Sequence, residues 1–395
     1  MTQCMESVLR VDVTLVSSYS ESMRKTFGVA ALMLAVSMFG TGCLSKLVLN
    51  GTIASTRKGS AAFATIGDYE LARSAASAGL VQFEGYHELA PTNENAYFLL
   101  IGSWMRYGYA FPEDDMEAAL EAGDEDLAEY HKKRALMAYN RSLGYGVEWL
   151  NMRAEGFEAA KKNNATIAEW LKKNFKDKED AEWLYLIGQG WMAKTNLAKD
   201  DPAVVADLFV GLALAERAAE LDPTPGDYGV YAALGAYHSR NSMAEVDKAK
   251  DFFEKAIEKT ERKAQLNLLG YGARYACIKG DKALFEKMMN EILENEDPDR
   301  KLRLVNAVAK RRANRYLNGK VKKQDCGFDT HAAAPEAAPK AEKTPAEKAQ
   351  QVLTEPKPAP PAVKPVLPPA KPAASTAAPK VPPAASAKPA TPPKK

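Results

Sequence analysis

Apolar residues recur along this chain every three or four positions from about Ser60 to Leu317. Ala249, Phe253 and Ala256 are spaced this way, and Phe285, Met289 and Ile292 repeat the interval. Such spacing places each trio on one face of an α-helix. No stretch alternates β-branched and polar residues as a half-buried strand would. Six prolines, at positions 91, 112, 202, 223, 225 and 298, fall where one amphipathic run gives way to the next, as helix boundaries require. The pattern predicts an all-α body of helix after helix.

Small residues among the large ones add a repeat. Tyr231-x2-Leu234-Gly235-x2-His238 followed by Ala249-x3-Phe253-x2-Ala256 resembles the two helices of a tetratricopeptide (TPR) hairpin. In such a hairpin the small side chains let the second helix approach the first. The next unit runs through Leu269, Ala273 and Ala276, turns at Gly280-Asp281 and continues to Ile292. Upstream, Gly67-Asp68-Tyr69-x2-Ala72, Tyr97-x2-Leu100, Ala135-x3-Tyr139-x2-Ser142 and Ala215-x2-Ala218 supply further fragments. Four or five hairpins of this kind predict a stack in which each buries its apolar face on its neighbours, forming a superhelix with a concave surface. Residues 147–200, with Trp149, Trp170, Trp183 and Trp191, fit the repeat least well.

Composition divides the chain. Of 23 prolines in its 395 residues, 17 lie between Pro335 and Pro393. That segment cannot bury enough surface to offset its ordering entropy, so 321–395 is expected to be a disordered Pro/Ala/Lys-rich tail. The charge of +2 divides too. Residues 331–395 hold 10 lysines against 4 acids, leaving the rest with 43 basic and 47 acidic side chains. A body so balanced has no electrostatic drive toward nucleic acid.

Met23-Arg24-Lys25, the apolar run Phe27 to Phe39 and the small residues before Cys43 have the layout of a signal peptide. Gly40-Thr41-Gly42-Cys43 resembles a lipobox, with Gly40 where Leu is usual. The expectation is a lipidated Cys43 after a leader of 23–42, a linker at 43–59, a helical domain at 60–320, and an extension at 1–22 preceding the true start. Cys277 and Cys326 are then the remaining thiols of the mature chain. An oxidising compartment favours their pairing, whereas the helical pattern around Cys277 suits a buried free thiol.

Little in the body suggests chemistry. His87, His131, His238 and His331 are isolated, and the cysteines lack metal spacing. No Walker loop or nucleophile elbow occurs, so no enzyme, cofactor or metal is expected. Gly144-Tyr145-Gly146 and Gly270-Tyr271-Gly272 follow no strand and are read as close helix packing. The acidic segment Phe111 to Leu127 is read as a solvated loop or exposed short helix. The aromatic run Tyr97, Trp104, Tyr107, Tyr109 and Phe111 is the candidate ligand or partner site. Trp104, Tyr107 and Phe111 share one helix face, which suits either an apolar pocket or plain helix packing.

Across roughly residues 60–318 the chain resembles the T component of TRAP transporters. Leu89-Ala90-Pro91 with Tyr97-Phe98-Leu99-Leu100, Ala135-x3-Tyr139-x2-Ser142-Leu143-Gly144-Tyr145-Gly146, Asp201-Pro202-x3-Ala206-Asp207, and Asp297-Pro298 through Arg311-Arg312-Ala313 carry the likeness. The resemblance implies a periplasmic TPR-like lipoprotein that partners an extracytoplasmic solute-binding protein and holds or passes an apolar small ligand. It also implies a homotrimer, and Leu44 after the cysteine implies the outer membrane. The alternative expectation is a TPR scaffold for envelope assembly or secretion that binds proteins only.

Overall fold

The computed structural model describes residues 44–240 and 245–328. The leader, Cys43 and the Pro-rich tail beyond 328 lie outside the described residues. Within them the fold is all-α, without a strand. The helices are 44–59 (α1), Tyr69–Leu89 (α2), Glu94–Ala110 (α3), Pro112–Ala122 (α4) and Glu125–Arg153 (α5). Then come Asn164–Asn174 (α6), Asp180–Leu197 (α7), Leu208–Leu221 (α8), Pro225–His238 (α9) and Val246–Lys259 (α10). Gln265–Gly270 (α11), Lys282–Glu294 (α12) and Arg303–Asn318 (α13) complete the set. A π-helical turn, Tyr271–Ala276, and the short helix Cys277–Lys279 prolong α11.

The boundaries follow from local chemistry. The side chains of Asp68, Asn93, Asp124 and Asp281 each accept from backbone amides in the first turn they precede, satisfying donors that a helix start leaves open. Pro112 opens its helix, where a missing N–H costs nothing, whereas after Pro225 the residues Gly226, Asp227 and Tyr228 are left-handed and the regular part of α9 follows them. Gly123 and Gly280 end theirs in the left-handed region (φ 78° and 69°).

Neighbouring helices pair, and glycines set how closely. A Cβ on Gly235 of α9 would stand 2.8 Å from the Phe253 ring of α10, and one on Gly270 of α11 would also stand 2.8 Å from it. Phe253 is fully buried between these two bare backbones, flanked by the buried Ala249 and Ala256. The small–large pattern read from the sequence is this slot. Gly146 meets Ile187 of α7, and Gly272 meets Met289 of α12, so both Gly-Tyr-Gly segments serve helix packing. His238 is buried beside Phe252 and paired through Nδ1 with Glu245.

The tryptophan-rich segment forms the centre. Trp149 and Trp183 stack face to face with centroids 4.3 Å apart, enclosed by Phe157, Ile167, Leu171 and Phe175. The fold also extends past the expected limits. The segment expected as a linker, 44–59, is helical and buries Ile53 against Ala96 and Leu99 of α3. Residues 321–328, expected in the tail, carry the helical turn Val321–Asp325 and Cys326, which is joined to Cys277 by a disulfide. The packing of Phe253 predicts that Phe253→Ala costs about 3–5 kcal/mol, because two glycine walls cannot collapse into the space. Chemical denaturation of the variant beside the parent measures it.

Candidate functional site

The five aromatic residues singled out in the sequence separate into two faces of α3 and its C-terminal junction. On the side toward α2 and α5, ring centroids run from Trp104 to Tyr107 (6.1 Å) and from Tyr107 to Phe111 (5.6 Å). Phe111 then meets Tyr69 of α2 at 5.2 Å. Tyr97, further back on α3, lies against His87 (4.8 Å), which in turn meets Tyr145 (5.1 Å). Tyr97 and Phe111 are buried at 7% and 3% exposure, so packing accounts for them. Trp104 and Tyr107 are half-buried. Tyr109 points elsewhere, with the Arg312 guanidinium 3.9 Å over its ring.

Glu84 of α2 joins the two stretches of rings, and sequence reading missed it. Its carboxylate accepts from Trp104 Nε1 (2.7 Å), from Arg141 Nε and Nη2 (2.6 and 2.7 Å) and from the Tyr145 hydroxyl. Burial pushes this carboxyl up, but the hydrogen bonds from Arg141, Tyr145 and Trp104 and the Arg141 charge outweigh it, bringing it down to about 2. Arg134 of α5 similarly donates to the Tyr107 hydroxyl at 3.0 Å. Val81 lies one turn before Glu84 and Met137 one turn before Arg141, so both share those helix faces. They are 74% and 55% exposed. The result is a half-open aromatic strip, held by charged hydrogen bonds and edged by exposed apolar side chains.

At its far end the strip meets the last helix. The acidic segment read as solvated, Phe111 to Leu127, divides: Asp124, Glu125 and Asp126 are exposed as expected, whereas at the start of α4 Asp114 has no exposed surface and Glu113 has 6%. Their partners come from about 200 residues later. Asp114 accepts from Arg311 Nε (3.0 Å) and from Arg315, while Glu117 binds Arg312 (3.1 Å), Arg315 (2.9 Å) and the Tyr316 hydroxyl. The Tyr69 hydroxyl, 3.0 Å from Asp114, ties the strip to this cluster, and Arg311 lies 4.0 Å over the Tyr69 ring. Burial alone would raise the Asp114 carboxyl, yet the three arginines hold it below the ordinary carboxylate range. Glu113, bonded to the buried Tyr139 hydroxyl, goes the other way because desolvation dominates. The signal for this clamp was present in the sequence as acids at 113, 114, 117 and 121 against arginines at 311, 312 and 315, both at one-turn spacing.

Among the described residues no group of three or more His, Cys, Asp or Glu is placed to hold a metal, and no helix is long and apolar enough to cross a membrane. The geometry is that of an all-α protein built from paired, closely packed helices. A match to the TRAP transporter T-component family spans residues 66–323, and the chain belongs to that family, a non-catalytic part of the transporter. A search of curated proteins returned no match.

Two outcomes test the electrostatics. Arg315→Ala leaves Asp114 short of a partner in a buried site and is expected to cost about 3–5 kcal/mol, read by denaturant unfolding. Glu84 titrates near 4.5 when unfolded and about 2 when folded. Its stabilisation is therefore complete above pH 4.5 and lost as pH falls toward 2. The stability gap between the parent and Glu84→Gln should close across that window in acid unfolding curves.

Proposed function

We propose that the chain is the periplasmic accessory subunit of a TRAP transporter, docking the transporter's solute-binding protein and holding an apolar small ligand along the α2–α3–α5 strip. Family membership supports the transporter assignment. The observation that carries the ligand reading is Trp104 and Tyr107, half-buried on a helix whose neighbours Val81 and Met137 remain exposed. Aromatic surface fixed by polar tips and rimmed by apolar side chains is what an apolar ligand or a partner's apolar anchor needs.

In the same reading, acyl chains on Cys43 hold the protein to the outer membrane, and the subunit assembles as a trimer. Two or more acyl chains exceed what stable anchoring takes. Light scattering on the purified chain checks the trimer, and Cys43→Ser should move the protein from the membrane to the soluble periplasmic fraction.

The direct test is co-purification. The parent should retain the solute-binding protein encoded beside the TRAP membrane subunits, and mass spectrometry should find an apolar molecule bound. Trp104→Ala with Met137→Ser should weaken retention about thirtyfold, since a central aromatic anchor contributes roughly 2 kcal/mol or more. Full retention of both by a folded double variant overturns the strip as the site.

A further inference from the structure

The opposite face of α3 looks toward a second group of side chains that the strip and the clamp leave unused. Arg274 sits in the π-helical turn Tyr271–Ala276. Such turns carry an extra residue within a helix and occur often at functional sites. Its Nη1 donates to Asn196 Oδ1 of α7 at 3.0 Å, its side chain is exposed, and among the described residues it has no ion pair. Lys322 follows α13 in Val321–Asp325 and is half-buried. Its ammonium lies 5.8 Å from the Tyr316 ring centroid and makes neither ion pair nor hydrogen bond among the described residues.

The two cations do not sit together by chance of a loose surface. Cys277 stands three residues after Arg274 and Cys326 four residues after Lys322, and the two cysteines are covalently joined. One helical turn back from the bond, the basic side chains are held in each other's field. Charged groups facing Lys322 are Arg274 and Lys199, which repel it, and Asp325 and Glu117, which attract it. Glu117 is already committed to Arg312, Arg315 and Tyr316, and Asp325 is exposed. Arg274 also faces Tyr109 and Glu113, but Glu113 is bonded to Tyr139 and paired with Arg312, so neither Arg274 nor Lys322 is paired with a carboxylate among the described residues.

We propose that Arg274 and Lys322, with Asn196 alongside, bind an anionic oxygen group, carboxylate or phosphate, of a small molecule. A guanidinium offers a planar fork and an ammonium a point charge, the usual pair for such a group. The disulfide pre-places them, so the ligand need not supply the free energy of bringing like charges together. Burial, followed by the Arg274 charge, pushes the Lys322 ammonium down to about 8. A bound anion favours the charged form, so binding near pH 8 draws in a proton. The site rests on charge placement and does not depend on the strip or on the docking partner.

Calorimetric titration of the full chain with inorganic phosphate and, separately, with butyrate, at fixed ionic strength, tests it. At least one anion should bind saturably, one per chain; which one does so identifies the source of the oxygen group. Arg274→Gln with Lys322→Gln should weaken that binding about tenfold or more, because two charge-assisted bonds are lost. Lys322→Arg should preserve it while abolishing proton uptake, read at pH 8 as the dependence of the heat on buffer ionisation enthalpy. Circular dichroism and melting confirm that each variant is folded; should the double variant unfold, Arg274→Gln alone carries the comparison. Parent-like affinity in the folded variant overturns the site, as does failure of the parent to bind either anion at tens of millimolar.

Discussion

A carboxylate with no exposed surface, Asp114, is held by arginines that lie about 200 residues away in the chain. That contact sets how the last long helix, α13, lies against α4. A buried charge is tolerated only with partners in good geometry, so α4 and α13 are fixed in both separation and register. Tyr69 and Phe111, which touch the cluster, inherit their positions from it, and Trp104 and Tyr107 inherit theirs in turn. On the other side of α3, Arg312 covers Tyr109, and the turn carrying Lys322 starts only three residues after α13 ends. Both faces of α3 are therefore referenced to one ionic joint.

The joint closes an array whose interior is built on a different principle. Between neighbouring helices the determining feature is missing volume: glycines at 146, 235, 270 and 272 receive Ile187, Phe253 and Met289. Apolar burial supplies most of the free energy there and is tolerant of direction. Charge pairing is less generous in net stability and more demanding in geometry. The helical array thus draws cohesion from its core and alignment from the joint between α4 and α13.

The division explains what could be read from the sequence. The small–large spacing around Gly235 and Phe253 is local, and a period of three or four residues reports it directly. The turns at Gly67-Asp68 and Gly280-Asp281 were legible for the same reason. The clamp's two halves are visible as acids and arginines at one-turn spacing, but their pairing is not, since each reads as an ordinary solvated face and only tertiary closure brings them together. Glu84 was missed likewise: one acid among the residues of an exposed helix face gives no hint that Trp104, Arg141 and Tyr145 converge on it. The pairing of Cys277 with Cys326 stayed open because spacing does not encode which helices become neighbours. Residues 147–200 departed from the repeat because they pack as a tryptophan centre around Trp149 and Trp183.

The Cys277–Cys326 bond also has a mechanical meaning. It lies two residues before Phe328, the last described position. Traction on the chain beyond that point reaches Cys326 first and crosses the sulfurs into the helical segment at Cys277. The load enters the array sideways through a covalent rivet, and α13 is spared the peeling that would otherwise unzip its arginines from α4 one turn at a time.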